Sequence, residues 1–207
     1  MRFKKTRFTE RLLAANGIHR NDFQRWVFAP GMRFDSPEKW WGDFGQRDFP
    51  HEGIDFCLYR DFSDQVRRLD SRTRIPAMHD GRVKALFTDY LGQAVVMEHE
   101  KVLHGHARAI SVYAHTRPRE GIRPGVVVRE GDIIATIADT SQSKARILPH
   151  LHFSLGLPSP DLVYEPFEWN HMRDPGLVTL LDPQGLIDWP CQMPASISLE
   201  GFYDHRK

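Results

Sequence analysis

From Ile54 onward, apolar and polar positions alternate with a period of two in short runs. The runs 54–59, 82–87, 93–99, 108–115, 126–129, 132–138 and 151–156 predict β-strands. Turn signals such as "HDG", "DYLG", "RPG" and "EGD" separate them. Close turns with no helical stretch between strands predict a mainly β fold with an antiparallel sheet core. Ahead of it, one short helix is expected from Thr9 through "ERLLAANG", stopping near Gly17. The following "RWVFAPGMRFDSPEKWWGDFGQRDFP" is rich in Trp, Phe, Gly and Pro. It reads as an irregular segment pinned by aromatics, since disordered segments are aromatic-poor. After Pro158 the chain is Pro-rich and weakly periodic, which suggests a C-terminal wrap. The expected organisation is a flanking segment (1–49), a β domain (50–157) and the wrap (158–207), with no internal repeat.

Composition narrows this picture. A chain of 207 residues with 41% apolar content can fill one real core. The net charge of +1 gives no bulk attraction to nucleic acid or anionic lipid, so neither is an expected partner. The charge is uneven: residues 1–50 carry 10 Lys/Arg and 6 Asp/Glu (10 − 6 = +4), and 161–207 carry 3 and 8 (3 − 8 = −5). The two flanks are therefore expected to lie near each other. Two cysteines, Cys57 and Cys191, make no disulfide framework, and Cys57 reads as a small core residue. No apolar run is long enough for a membrane span. The basic start, "MRFKKTRFTERLLAANG", lacks the apolar stretch of a secretion signal, which points to a cytoplasmic protein as written.

Candidate chemistry begins at "PHEGIDFCLY", residues 50–59. Asp55 sits in an apolar run, where a carboxylate needs a partner. On a straight strand His51 would lie about 13 Å away. Sharing one ion with bonds of about 2 Å requires the chain to curl at Glu52-Gly53. In "LPHLHFSLG", His150 and His152 alternate with Leu151, Phe153 and Leu155, so both imidazoles point to one face. In "SVYAHT", Ser111, Tyr113 and His115 are expected to share one strand face. Each piece alone also has an ordinary reading as a hydrogen-bonded or half-buried side chain. Their combination in one β domain is what points to a site.

These motifs together resemble the lysostaphin-type zinc metallopeptidases, many of which cut peptide cross-links of bacterial cell walls. That family carries His-x-x-x-Asp, then Tyr-x-His, then His-x-His followed by Phe. Here they stand as "HEGID" (51–55), "YAH" (113–115) and "HLHF" (150–153), within a likeness covering about 50–157. The resemblance implies a duplicated-hybrid-motif-like sheet, with Zn²⁺ bound by His51, Asp55 and His152 and with His115 and His150 catalytic. Three protein ligands leave an open position, as catalytic zinc requires. One histidine would serve as base and acid, and the other would stabilise the oxyanion. The implied activity is a zinc endopeptidase acting on a peptide or on peptidoglycan, and the implied location is the cell envelope or outside the cell. The family's Gly/Ser/Thr-rich loop before His-x-His is replaced by "DTSQSKARILP" (139–149), with Lys144 and Arg146, which leaves substrate choice open.

Two other readings compete. A non-catalytic relative, a peptidoglycan-binding or amidase-activator module, would keep the fold without the metal. A lipoyl- or biotinyl-type carrier is suggested by "IRPGVVVREGDIIATIAD", but its turn, Arg129-Glu130-Gly131-Asp132, offers no lysine. His99, His104 and His106, near "EHEKVLHGH", suggest either a second metal site or, more simply, a solvated loop, and "VRRLDSRTR" (66–74) reads as a charged exposed loop. Trp26, Trp40 and Trp41 either line a groove beside His51 or cover the core.

Overall fold

The computed structural model describes residues 4–100, 104–105, 108–144, 147–199 and 202. Helix α1 (Phe8–Asn16) leads into strand β1 (Arg25–Val27). Then come β2 (Gly53–Phe56), β3 (Leu58–Arg60), β4 (Val66–Arg68), β5 (Arg74–Pro76), β6 (Gly81–Thr88), β7 (Gln93–Glu100) and β8 (Arg108–Pro118). The chain continues through β9 (Val127–Val128), β10 (Ile133–Ile137), β11 (Leu151–Pro158), α2 (Trp169–Arg173), β12 (Val178–Leu181) and β13 (Cys191–Gln192). Among the described residues these strands make a four-stranded sheet, β13-β1-β3-β4, and a nine-stranded sheet. The larger sheet runs β12-β11-β8-β7-β6-β9, with β2 on β11 and β10 joining β5 to β8. Helix α1 ends where expected, at Gly17 with φ 64°, a conformation that costs a glycine nothing.

Strand β11 organises the site. One edge pairs with β8; the other pairs first with β2, then with β12. The register sets His152 opposite Asp55 on one side and Ala114 on the other. Gly53 is required here by steric contact, because a Cβ would lie 2.2 Å from the carbonyl oxygen of Phe153.

Both faces of the large sheet are covered, which explains why β7 and β8 are buried almost throughout. On one face, Leu151, Phe153, Leu155 and Tyr113 join Phe8, Leu12, Trp26 and Phe28 of the N-terminal flank. Phe56 gathers three of those rings, with centroids 4.9–5.6 Å away. Such aromatic pairs add roughly 0.5–1.5 kcal/mol each beyond area burial. On the other face, Ala94, Val96, Val112 and Ala114 pack against Phe167 and Met172 of the C-terminal segment.

Several expectations are corrected. The run 54–59 is two strands in different sheets, divided at buried Cys57. The stretch 66–74 is no plain loop, since β4 and the start of β5 lie in it and Leu69 is buried. His99 is not in a solvated loop. It is buried in β7, bonded to the Asp80 carbonyl at 2.8 Å and the Ser111 hydroxyl at 2.7 Å. His104 sits in an exposed turn, and His106 and Arg146 lie outside the described residues. The wrap is more regular than its sequence suggests, since β12 extends the main sheet. The flanks do meet, through backbone: β1 and β13 pair in parallel, with Trp26 opposite Cys191. Among the described residues no ion pair links them.

Candidate metal centre and active site

His51, Asp55 and His152 are buried, and one ligand atom from each lies within 4.8 Å of the others. His51 Nε2 is 3.1 Å from Asp55 Oδ1 and 2.9 Å from His152 Nδ1, and the third side is 3.0 Å. The curl at Glu52-Gly53 that one shared ion demands is therefore present. Outer contacts hold each ligand. The Arg33 carbonyl can only accept, so His51 Nδ1–H donates to it at 2.9 Å and Nε2 turns its lone pair inward. His152 Nε2 reaches the Ser154 hydroxyl at 2.7 Å, leaving Nδ1 for the centre. Trp40 Nε1–H donates to Asp55 Oδ2 at 2.7 Å, leaving Oδ1 free to point inward. Spacings near 3 Å suit ligands about 2 Å from one tetrahedral ion, and two imidazoles with a carboxylate suit Zn²⁺.

Burial would push the Asp55 carboxyl up, but His51, His150 and His152 outweigh it and hold it well below the usual carboxylate range. An ionised carboxylate oxygen beside two imidazole nitrogens is a donor set that a divalent cation can use. Neighbouring Glu52 is also held low: burial opposes this, while His152 and Arg173 favour the charged form.

His150 and His115 stand beside this triad, with ring centroids 4.8 Å apart. His150 Nδ1–H donates to the Leu148 carbonyl at 2.8 Å, and its Nε2 lies 3.8 Å from Asp55 Oδ1. Burial outweighs the pull of Asp55 and pushes its pKa down to about 3, so the ring stays neutral. His115 breaks the alternation expected of its strand. The β7–β8 register shifts between Gln93 and Val95, and His115 takes φ 60° there. In regular register it would follow Tyr113 into the core; the bulge turns it to the opposite face, towards His150 and His152. Ser111, Tyr113 and His115 therefore do not share a face.

The sequence reading missed Asp89. Its turn role was legible in "DYLG", since Oδ1 accepts from Leu91 and Gly92 backbone N–H at 2.8 and 2.7 Å. Its second oxygen was not legible: it accepts the His115 backbone N–H at 2.8 Å and lies 3.2 Å from Nδ1. That ring contact has ion-pair distance but lies off the line of a good hydrogen bond. Burial raises the Asp89 carboxyl, yet His115 and the backbone donors win and hold it far below the usual range.

Of the three tryptophans, Trp26 is core and bonds Thr9, Trp40 supports Asp55, and Trp41 lines the cavity. The cavity, about 250 Å³, is also lined by Arg47, Tyr90, Trp169 and Arg173, none foreseen. Trp169 packs on His152 with centroids 5.2 Å apart. A larger cavity of about 630 Å³ lies on the other side of Trp169, between β6 and residues 164–170, away from the histidines.

The sequence pattern of peptidase family M23 matches residues 50–159, just over half of the chain. No curated protein matches. Among solved structures, the catalytic domain of the antimicrobial peptidase lysostaphin from Staphylococcus simulans is similar at 20% identity and a TM-score of 0.46. The similarity covers 74% of this chain and 86% of that one. A zinc-containing peptidase from Vibrio cholerae is similar at 22% identity and a TM-score of 0.41, over 65% of this chain and 36% of that one. The catalytic domain of a prophage-encoded M23 protein from Enterococcus faecalis shares 25% identity at a TM-score of 0.38, over 65% and 90%. The matched stretch begins one residue before His51 and closes just after β11, so it contains all five histidine and aspartate positions of the site, and the chain belongs to peptidase family M23, the lysostaphin-type peptidases.

Proposed function

We propose that this chain is a zinc metalloendopeptidase that hydrolyses a peptide bond, with peptidoglycan cross-links or stem peptides as the substrate class. The observation that carries this reading is the convergence of His51 Nε2, Asp55 Oδ1 and His152 Nδ1 at 2.9–3.1 Å in a buried pocket. A zinc ion held by these three atoms supplies Lewis acidity, which polarises the scissile carbonyl and acidifies water.

The remaining chemistry divides between two histidines by the protons each can hold. His150 is fixed with Nδ1–H on the Leu148 carbonyl, so its Nε2 can only accept, and burial opposes charging it. It orients the attacking water. His115 has the Asp89 carboxylate 3.2 Å from its Nδ1, on the far side of the ring from the metal triad. His115 therefore takes the water's proton and returns it to the leaving amine, so one proton moves from nucleophile to product with no net change in the enzyme. The non-catalytic alternative would require none of this arrangement.

The test is zinc per chain beside turnover for three variants, on a peptide that the parent cuts. The parent should carry close to one Zn²⁺, and a chelator should abolish cleavage. His152→Ala should lose most of the metal. His150→Ala and His115→Ala should keep it, while the rate falls about 10²- to 10⁴-fold. A metal-free parent that still cleaves would sink the reading.

A further inference from the structure

Resting on that reading, we propose that the site takes a peptide bearing a carboxylate beside the bond to be cut, held between Arg47 and Arg173.

The two flanks each bring one guanidinium to the cavity. Arg47 is set rigidly. Its Nε donates to the Glu38 carbonyl and one Nη to the Gly31 carbonyl, both at 2.9 Å, and its Cζ lies 4.3 Å from the centroid of the Trp41 ring. Only 13% of its side chain is exposed. Backbone carbonyls fix the group without neutralising it. The carboxylate nearest it is Asp55, 4.0 Å away, whose charge belongs to the metal triad. A fixed cation there weakens the hold on any metal, so the arrangement costs affinity unless the guanidinium has other work.

Arg173, at the end of α2, reaches in from the opposite flank. Its Nε bonds Glu52, its Cζ lies 4.6 Å from the Phe49 ring, and its two Nη groups make no other hydrogen bond among the described residues. Glu52 balances Arg173, and Asp55 offsets one charge of a divalent ion. Arg47 and the second charge of the ion remain, so the loaded cavity is cationic. A planar carboxylate matches the donor fork of a guanidinium. The cavity, about 250 Å³, is smaller than most ligand pockets, and Trp41, Tyr90 and Trp169 also line it. It holds a short piece of peptide beside the metal, and that piece must bring negative charge.

The carboxylate has two possible sources, a chain terminus or an acidic side chain. In the first case the cut falls near the end of a strand of peptide; in the second it falls wherever that side chain stands. Three peptides of one length separate them: one with a free C-terminal carboxylate, the same peptide as an amide, and that amide with glutamate as its last residue. Dissociation constants are measured by calorimetry on zinc-loaded His150→Ala, and kcat/KM on the parent. At least one of the two carboxylate-bearing peptides should bind about ten-fold or more tightly than the plain amide, the usual size for a hydrogen bond to a charged group. Tighter binding of the glutamate amide alone assigns a side-chain carboxylate, tighter binding of the free acid alone assigns the terminus, and equal gains show that the fork takes either. Arg47→Gln and Arg173→Gln should erase the preference with zinc per chain unchanged. Arg173→Lys keeps a partner for Glu52 and should still lose most of it, because the fork is gone. Equal binding of all three peptides overturns the proposal, as do variants that weaken all three alike. A preference seen in binding with no cleavage of any peptide would leave this recognition standing and remove the hydrolytic reading instead.

Discussion

Asp89 grips His115 at two points: its Oδ2 accepts the backbone N–H at 2.8 Å and lies 3.2 Å from the ring Nδ1. The first contact fastens a residue held at φ 60°, a conformation that costs a non-glycine residue of order 1–3 kcal/mol. The second sets a negative charge at ion-pair distance beside the ring, so one carboxylate fixes the backbone and faces the side chain of the histidine assigned to proton transfer.

Asp89→Asn should accordingly lower kcat about 10- to 100-fold while zinc per chain stays the same. The asparagine carbonyl can still accept from Leu91 and Gly92, so the turn should survive with a loss of about 1–2 kcal/mol in unfolding experiments. Unchanged turnover would show that His115 needs no carboxylate behind it.

Trp40→Phe removes the hydrogen bond to Asp55 Oδ2 and keeps most of the ring's packing against His150, now at 5.1 Å. Zinc affinity, measured by competition with a chelator, should fall about 10- to 100-fold. Should the affinity hold, the carboxylate is oriented by its strand alone.

Gly53→Ala should be among the most damaging single-methyl changes, because the new Cβ meets the Phe153 carbonyl oxygen at 2.2 Å and Ser154 Oγ at 2.9 Å. The pairing of β2 with β11 must open, which costs roughly 1–3 kcal/mol as overpacking and moves Asp55 away from His152. Both the melting temperature and zinc content should drop together; a variant with full zinc would contradict the register argument.

His79 carries a pH prediction independent of the metal. It is only 3% exposed, and neither ring nitrogen has a hydrogen-bond partner among the described residues. Burial, with help from His99 and Lys4, pushes its pKa down from 6.5 to about 4. Between those values the unfolded chain binds the extra proton, so stability rises with pH across that window and is lost as pH falls through it. The full shift corresponds to about 3 kcal/mol. His79→Phe should thus gain on the parent as pH drops from 7 to 4. Parallel stability curves for the two proteins would refute it.

Much of this site was legible because period-two alternation is a reliable guide wherever a strand stays regular. His150 and His152 share one face and Leu151, Phe153 and Leu155 the other, as their spacing required. The same rule failed at His115, because a bulge inserts one residue and reverses the facing of everything beyond it, and nothing in "SVYAHT" marks that insertion. Asp89 was read only as a turn former, since a local pattern cannot show what a second carboxylate oxygen reaches 26 residues away. Arg47, Trp169 and Arg173 come from segments of weak periodicity, where pattern says little about direction. His99 was read two ways, as the end of the run 93–99 and as the start of a loop; the strand reading holds, since β7 extends through it to Glu100.

The pairing of β1 with β13 has a consequence for how the protein comes into being. Strand β1 leads into the segment that carries Trp40 and Arg47, and its partner β13 follows His152 in the chain, so it leaves the ribosome after all three metal ligands. A nascent chain that has already emerged past His152 holds all three metal ligands, yet the strap behind Asp55 has nothing to close against. The centre is thus finished only once β13 has emerged, and a product truncated before Cys191 should leave that strap unlatched beside an otherwise complete set of ligands.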